Sequence, residues 1–228
     1  MKIVVLTGAG MSAESGIPTF RGADGLWEGH RIEEVASPEG WATDREKVLR
    51  FYNERRRQIL SVQPNAGHKA LAQLQDLYDV HIITQNIDDL HERAGSRQVM
   101  HLHGEILKSR SSGDDRLIYD CRTDIQLHDT CEKGYPLRPH IVWFGEMVPM
   151  MDHAAAVVQT ADILVIIGTS MVVYPAASLL YFAPPDCPVY IINPEQTSLQ
   201  AKPQYHFIME PASSGVSTFI QKMEQYGK

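Results

Sequence analysis

Four apolar runs recur along the chain: "KIVVLT" (2–7), "VHIIT" (80–84), "DILVIIG" (162–168) and "PVYIIN" (188–193). Each is rich in Val and Ile and apolar throughout, with little alternation. A strand covered by helices on both faces has this pattern, because neither face meets water. Between the runs the period changes. Residues 65–77, "NAGHKALAQLQDL", place Ala70, Leu71, Leu74 and Leu77 on one helical face, with Asn65 as the N-cap. Residues 214–226 repeat Val216, Phe219, Ile220 and Met223 at the same spacing. Strands alternating with helices predict an α/β fold built on an open parallel, Rossmann-like sheet.

Two segments break the rhythm. Residues 28–62 are charged and helical without a strand, and residues 109–137 are polar and irregular. They predict a smaller inserted lobe, formed by 28–62 and 109–137. The large lobe is then 1–27, 63–108 and 138–228, and the whole chain, 1–228, is one unit. Within 46–61, "EKVLRFYNERRRQILS", Phe51 and Ile59 can anchor a helix to the small lobe.

Composition narrows the functional classes. The 228 residues carry a net charge of −7, so general nucleic-acid binding is not expected. No apolar run approaches the ~20 residues that span a bilayer, so no membrane association is expected. Strand-like sequence from Lys2 predicts no leader segment. Cys121, Cys131 and Cys187 form no dense disulfide framework, which predicts a reduced, cytoplasmic protein. A monomer is expected.

The densest chemical signal is "LTGAGMSAESGIPTFRG" (6–22). Gly8-Ala9-Gly10-Met11-Ser12-Ala13 matches G-x-G-x-x-A after a strand. In that pattern the first glycine makes a tight turn and the second admits a pyrophosphate. The small last residue lets a helix pack closely, with its N-terminus toward the phosphates. A dinucleotide-dependent dehydrogenase would follow with a second buried strand and an acidic residue ~20 positions on. Residues 20–40, "FRGADGLWEGHRIEEVASPEG", contain no such strand. If a dinucleotide binds here, it is expected to serve something other than hydride transfer.

The stretch "GAGMSAESGIPTFRG" resembles the cofactor-binding loop of the sirtuins, NAD-dependent protein-lysine deacylases. Further likenesses follow in the family's order: "TQNIDDLHERAG" (84–95), "HLHGE" (101–105), "RPHIVWFGEMVP" (138–149), "GTSMVVYPAA" (168–177) and "INPE" (192–195). The likeness extends over essentially the whole chain. It is nearest to short bacterial sirtuins and to the mitochondrial type that removes acidic acyl groups. It implies an enzyme that consumes NAD while taking acyl groups from protein lysines. A hydrolase that only splits NAD needs no peptide-pairing strand, and a non-catalytic NAD binder needs no base.

By the same resemblance His103 is the catalytic base, aided by Asn86. An imidazole suits the task because its ordinary pKa is ~6.5. NAD would be held by Gly8, Ala9, Gly10, Ser12 and Ala13, by Phe20, Arg21 and Trp27, and by Gln85, Asn86, Ile87 and Asp88. Gly168, Thr169 and Ser170 with Asn193, Pro194, Glu195 and Ala212 would meet its adenosine half. Phe20 would shield the reacting sugar carbon from water, Arg21 would bind a phosphate or organise the loop, and Gly25 marks a lid. His101 is read as structural, since in extended chain it points away from His103. Val142, Phe144, Gly145 and Glu146 would pair with an extended acyl-lysine substrate.

Two departures are informative. Relatives of this type carry two Cys-x-x-Cys-like pairs that bind a structural zinc. Here Ser111 stands where one cysteine is expected, and Cys131 stands alone in "HDTCEKGY". Serine is a poor zinc ligand, so no zinc is expected. A substitute set of Cys121, His128 and Cys131 lacks an evident fourth donor. The segment would instead be held by Leu117, Ile118, Tyr119, Ile125 and Leu127. The second departure is Tyr52 with Arg55, three apart on one helix face. The pair resembles the feature of sirtuins that accept succinyl- and malonyl-lysine, because arginine can meet a carboxylate bidentately.

Overall fold

The computed structural model describes residues 1–19, 26–171, 173–197 and 199–226. Phe20, Arg21 and Gly25 lie outside the described residues. The predicted strands form as β1 (Lys2–Thr7), β4 (Asp79–Thr84), β9 (Ile163–Ile167) and β10 (Val189–Ile192). Their uniform apolarity has the expected cause. Val4 and Leu6 of β1 face one core, and Ile3 and Val5 face the other. On the second face lie α4 (Ala66–Leu74) and α7 (Ala212–Tyr226). The first is covered by α6 (Met151–Val158) and a 3₁₀ helix over Ala176–Phe182.

The sheet has two further strands, β5 (Val99–His101) and β11 (Tyr205–Ile208), and its order is β11-β10-β9-β1-β4-β5. Every pairing is parallel. The two added strands are the edges. An edge strand is covered less completely, so "VMH" and "YHFI" carry polar residues and lack the apolar signature. The fold class expected from the sequence is thus present.

One helical expectation needs correction. Asn65 does cap α4, accepting from the Gly67 and His68 amides. The helix ends at Leu74, however, because Gln75, Asp76 and Leu77 each bond back three residues. That tighter winding rotates Leu77 off the apolar face, and it is 73% exposed.

The small lobe is more ordered than expected. Residues 26–31 form a hairpin of β2 (Leu26–Trp27) and β3 (His30–Arg31), turning at Glu28 and Gly29 with φ of 50° and 76°. This replaces the strandless helical segment expected there. Helices α1 (Ile32–Val35), α2 (Pro38–Thr43) and α3 (Arg45–Ser61) follow. The supposedly irregular stretch contributes to an antiparallel sheet of β6 (Gly104–Ser111), β7 (Ile118–Asp120) and β8 (Leu137–Ile141). The expected lobe boundaries at 108/109 and 137/138 therefore fall inside β6 and β8. Ile106, Leu107, Ile141 and Trp143 pack with Val48, Leu49, Phe51, Tyr52 and Ile59 of α3 in a separate core.

The residues expected to hold 109–137 mostly do not. Ile125 is buried, but Ile118 is 44% and Leu127 58% exposed, and Leu117 and Tyr119 are only half-buried. The anchor is polar instead. Asn53 of α3 donates to the Ile125 carbonyl and accepts from the Ile125 amide, both at 3.0 Å. Arg56, wholly buried, donates to Asn53 Oδ1 at 2.6 Å and to the Ile106 carbonyl at 2.9 Å. A charged donor to a buried carbonyl makes a strong bond, which ties the irregular segment and β6 to one helix.

Ser111 and Cys131 face each other: Cys131 Sγ donates to Ser111 Oγ at 3.3 Å. Ser111 Oγ also accepts from the Gly113 and Asp114 amides. Cys121 is turned away, its thiol on the Thr123 carbonyl. Among the described residues no three His, Cys, Asp or Glu side chains converge to hold a metal ion. The donors present do not fit a tetrahedral zinc, which requires four. Protein purified without chelator should carry zinc well below one equivalent by elemental analysis. Its melting temperature should not move with EDTA; stoichiometric zinc would overturn this reading.

Candidate active site

The order of the parallel sheet reverses between β1 and β9: the chain runs outward from β1 to β4 and β5, then restarts at β9 on the other side. Ligands of open α/β sheets bind in the crevice beyond the strand ends at such a switch point. Four loops meet there, after β1, β4, β9 and β10.

The loop after β1 does not enter an α-helix as G-x-G-x-x-A suggested. It winds through two 3₁₀ turns, Ala9–Met11 and Ala13–Ser15. The glycines are needed for contact with the neighbouring loop. A Cβ on Gly8 would lie 2.7 Å from Thr169 Cβ, and one on Gly10 would lie 2.7 Å from Gly168 Cα. Gly168 itself has φ of 60°, and its Cβ would lie 2.4 Å from the Met11 amide nitrogen. Hydrogen bonds lock the approach: Gly8 N to the Ile167 carbonyl at 3.0 Å and Gly10 N to the Gly168 carbonyl at 2.8 Å. The Asn65 side chain, read from sequence only as a cap, also donates to the Met11 carbonyl at 2.8 Å.

The loop after β4 supplies a polar chain. Asn86 Nδ2 donates to Ser12 Oγ at 3.1 Å, and Ser12 Oγ donates to Asp88 Oδ2 at 2.9 Å. The Leu90 amide holds the other Asp88 oxygen at 3.1 Å. Burial pushes the Asp88 carboxyl upward, against these bonds that favour its charged form. Gln85 reaches across to Thr169 Oγ1 at 3.3 Å. Of the remaining expected residues, Ala13 and Ile87 are half-buried and Ser170 is exposed beside this cluster in sequence. Asn193 contacts the Thr169 carbonyl at 3.5 Å, whereas Pro194 and Glu195 are exposed. Ala212 is buried at the start of α7. Trp27 sits in the small lobe, edge-on to Phe51 and Tyr52.

Two histidines grip consecutive carbonyls of this loop. His103 Nδ1 lies 3.1 Å from the Gln85 carbonyl, and His101 Nδ1 lies 3.1 Å from the Asn86 carbonyl. A carbonyl only accepts, so each Nδ1 carries a proton. The second ring nitrogen then separates the two. His101 Nε2 meets Glu92 Oε1 at 2.8 Å, so both of its nitrogens face acceptors and the ring is held as a cation. Burial lowers the His101 pKa, but the Glu92 carboxylate outweighs burial and the net shift is upward. Among the described residues His103 has no carboxylate partner; burial dominates and lowers its pKa. His103 is therefore neutral near pH 7, with its lone pair on Nε2. That state can accept a proton, whereas the His101 ring is tied at both nitrogens; the two rings turn to the same loop, not to opposite sides as extended chain predicted.

Sequence reading missed the layer beneath. Thr7 and Thr84 pair in register at the ends of β1 and β4, with Thr7 Oγ1 donating to Thr84 Oγ1 at 2.8 Å. Thr84 Oγ1 accepts the Asn86 amide, and Thr7 Oγ1 bonds His91 Nε2 at 3.2 Å. The His91 ring stands 4.8 Å from that of His68, which accepts the Asn65 amide. Burial lowers both imidazoles, His68 to about 4. The available signal was a threonine closing each of two adjacent strands.

The turn after β8 carries the expected substrate residues. Its amides are mostly engaged internally: Val142 with the His103 carbonyl, Phe144 with Ala36, Trp143 with Glu146 Oε2. An extended chain alongside would be met mainly by carbonyl groups. Glu146 is clamped by Arg138 at 2.6 Å and Arg110 at 3.3 Å. Gly145 turns at φ of 88°, and Phe144 is exposed. Tyr52 is fully buried and accepts from Trp143 Nε1 at 3.0 Å. Arg55 lies over the Phe51 ring, donates to the Phe51 carbonyl and faces Glu28 Oε2 at 3.6 Å.

A parallel sheet with glycine-interlocked loops, a buried Asn–Ser–Asp chain and a neutral imidazole define a dinucleotide-handling enzyme centre. Comparison with known proteins makes this specific: the Sir2 family profile matches residues 8–175, and the chain belongs to that family. A Helicobacter pylori (strain ATCC 700392 / 26695) protein named NAD-dependent protein deacylase is 52% identical over 221 residues, 97% of this chain and 96% of that one. The protein of the same name from Escherichia coli (strain K12) is 47% identical over 232 residues, covering 97% and 82%. Among solved structures, a Sir2 homologue–NAD complex superposes with a TM-score of 0.88 at 41% identity, covering 99% of this chain and 90% of that one. A Sir2–p53 peptide–NAD⁺ complex gives 0.80 at 29% identity, covering 97% and 93%.

The loop interlock predicts a graded cost. Gly168→Ala should destabilise by ~2–4 kcal/mol, since it adds a backbone clash to left-handed strain. Gly29→Ala has similar φ but open space around it, and should cost only about 1 kcal/mol. Urea unfolding midpoints at constant slope measure both; equal losses would refute the interlock.

Proposed function

We infer that this chain is an NAD-dependent protein deacylase that removes acyl groups from lysine side chains, with succinyl and malonyl groups favoured over acetyl. The observation that carries the activity is the neutral His103, fixed by the Gln85 carbonyl with Nε2 free, beside the Asn86–Ser12–Asp88 chain. Bound NAD supplies an electrophilic sugar carbon from which nicotinamide leaves. The residues here fit that co-substrate: small loops at the switch point admit a pyrophosphate, and Asn86 and Asp88 offer an amide and a carboxyl to the nicotinamide end. The acyl-lysine carbonyl oxygen would bond that sugar carbon as nicotinamide departs, and His103 Nε2 would take the proton of a neighbouring sugar hydroxyl so that its oxygen bonds the acyl carbon. Water adding at the acyl carbon as its bond to the lysine nitrogen breaks would give free lysine and O-acyl-ADP-ribose. Phe20 and Arg21 belong to this reading through family likeness alone.

His103→Ala should retain NAD binding by calorimetry while nicotinamide release with an acyl-lysine peptide falls 10²–10⁴-fold. The pH profile follows from the sign of the shift. The base must be neutral, and burial lowers its pKa. Wild-type kcat/KM should therefore stay level through neutral pH and fall only below about pH 6.5. An acid limb above that value, or a variant within tenfold of wild type, would reject His103 as the base.

The acyl preference rests on Arg55. Its side chain is only 13% exposed, its Nε is buried without a partner among the described residues, and Glu28 forms a loose ion pair with it at 3.6 Å. Arg55 Nη1 also reaches Glu54 Oε2 at 3.3 Å, but Glu54 is half exposed, so an incoming carboxylate can compete for the guanidinium and take the Nε–H that no described residue uses. Removing one partner of a buried charged pair costs ~2–5 kcal/mol. Arg55→Met should cut succinyl-lysine kcat/KM at least ~30-fold, and acetyl-lysine kcat/KM far less. Equal losses on the two peptides would make Arg55 structural, and a wild type that prefers acetyl-lysine would reject the preference.

A further inference from the structure

We propose that Trp143 is a specificity-determining positioning residue: its indole N–H fixes the Tyr52 hydroxyl as a donor toward the carboxylate of an acidic acyl group. This rests on the acyl preference proposed above and deepens it. Trp143 is buried, and Nε1–H donates to Tyr52 Oη at 3.0 Å. An indole nitrogen can only donate, so the Tyr52 oxygen is committed as its acceptor. The hydroxyl proton must then point elsewhere. Among the described residues no acceptor meets it, although Tyr52 is completely buried. A buried hydroxyl with an unused proton is costly unless a ligand completes it. Arg55, one turn along α3, has its own unused buried donor. Two unsatisfied donors on one helix face, with a cationic side chain among them, select an anionic oxygen ligand. Burial also raises the Tyr52 pKa, so the hydroxyl keeps the proton it would donate.

The indole is itself held. Arg138 stacks on its ring with Cζ 3.2 Å from the centroid, and Trp41 packs 5.8 Å away. The Trp143 amide is fixed by Glu146, which Arg138 also clamps. The donor therefore has one direction. Its position in the turn that carries Val142 and Phe144 joins the acyl-recognition pair to the peptide-facing turn in three consecutive residues.

The test compares kcat/KM for succinyl- and acetyl-lysine forms of one peptide. Trp143→Phe keeps an aromatic ring and removes only the N–H. The succinyl-to-acetyl ratio should fall about fivefold, the worth of one neutral hydrogen bond, mainly through a raised KM for the succinyl peptide. In a Tyr52→Phe background the same change should leave the ratio within twofold, because the group it orients is gone. A purely structural Trp143 would lower both peptides together and additively with Tyr52→Phe. If Trp143→Phe does not fold, the ¹⁵N-indole resonance of wild-type Trp143 is the readout. Under the proposal the succinyl peptide shifts it and the acetyl peptide does not; equal shifts overturn it. A wild type that prefers succinyl-lysine but keeps its ratio in Trp143→Phe overturns the role of Trp143 alone. A wild type that prefers acetyl-lysine overturns the acyl reading beneath it as well.

Discussion

The close approach of two loops at the middle of the sheet is the constraint on which the site depends. Backbone at Gly8–Met11 lies against backbone at Gly168–Thr169 with no room for a Cβ on either side. Parallel strands stand a fixed distance apart, so loops leaving β1 and β9 in the same direction must either diverge or touch. Here they touch, and the two amide–carbonyl bonds hold them. Ser12 is consequently placed over the end of β4, where its hydroxyl bridges Asn86 and Asp88. The site is thus a product of strand spacing and missing side chains before any catalytic group is considered.

The two histidines show how little separates a base from a brace. Both donate Nδ1–H to neighbouring carbonyls at the same distance, and both are largely buried. One carboxylate, Glu92, makes the difference by pairing with the other nitrogen of His101. That pair holds the His101 ring against the Asn86 carbonyl and shifts its pKa upward. Leaving His103 without such a partner keeps its lone pair available. A carboxylate placed beside His103 would raise its pKa as Glu92 raises that of His101; among the described residues none stands there.

Core strands and the ligand loops were legible in the sequence because each left a local pattern: apolar runs for β1, β4, β9 and β10, and glycine spacing after β1. Edge strands β5 and β11 were not legible, since a strand paired on one side needs no apolar run. The small antiparallel sheet was missed for a related reason. Strand β7 has three residues, none of them buried. The glycine motif was read as a close approach to a pyrophosphate at the start of an α-helix; the approach it makes in the fold is to another loop, and two 3₁₀ turns follow it. Periodicity cannot reveal which surface a glycine faces. The threonine and histidine layer under Asn86 also depends on register between strands that lie 77 residues apart.

Helix α3 then carries two assignments at once, and its geometry explains how. Asn53 with Arg56 and Tyr52 with Arg55 are both three-apart pairs, displaced by one residue and so by about 100° around the axis. The Asn53–Arg56 face points into the small core. There it binds the Ile125 backbone and the Ile106 carbonyl, and leaves only Arg56 Nη2 without a partner in a sealed interior. The Tyr52–Arg55 face points toward the hairpin at Glu28 and the Trp143 turn, and Arg55 retains partial exposure. Fixing the first face makes the second precise, because a helix anchored through two backbone groups cannot rotate to find a partner for Arg55 Nε. Polar anchoring of the lobe through Asn53 and Arg56 therefore does two things that a metal elsewhere in the lobe would not. It holds the irregular segment directly to the helix, and it sets the angle at which Arg55 is presented toward the hairpin at Glu28.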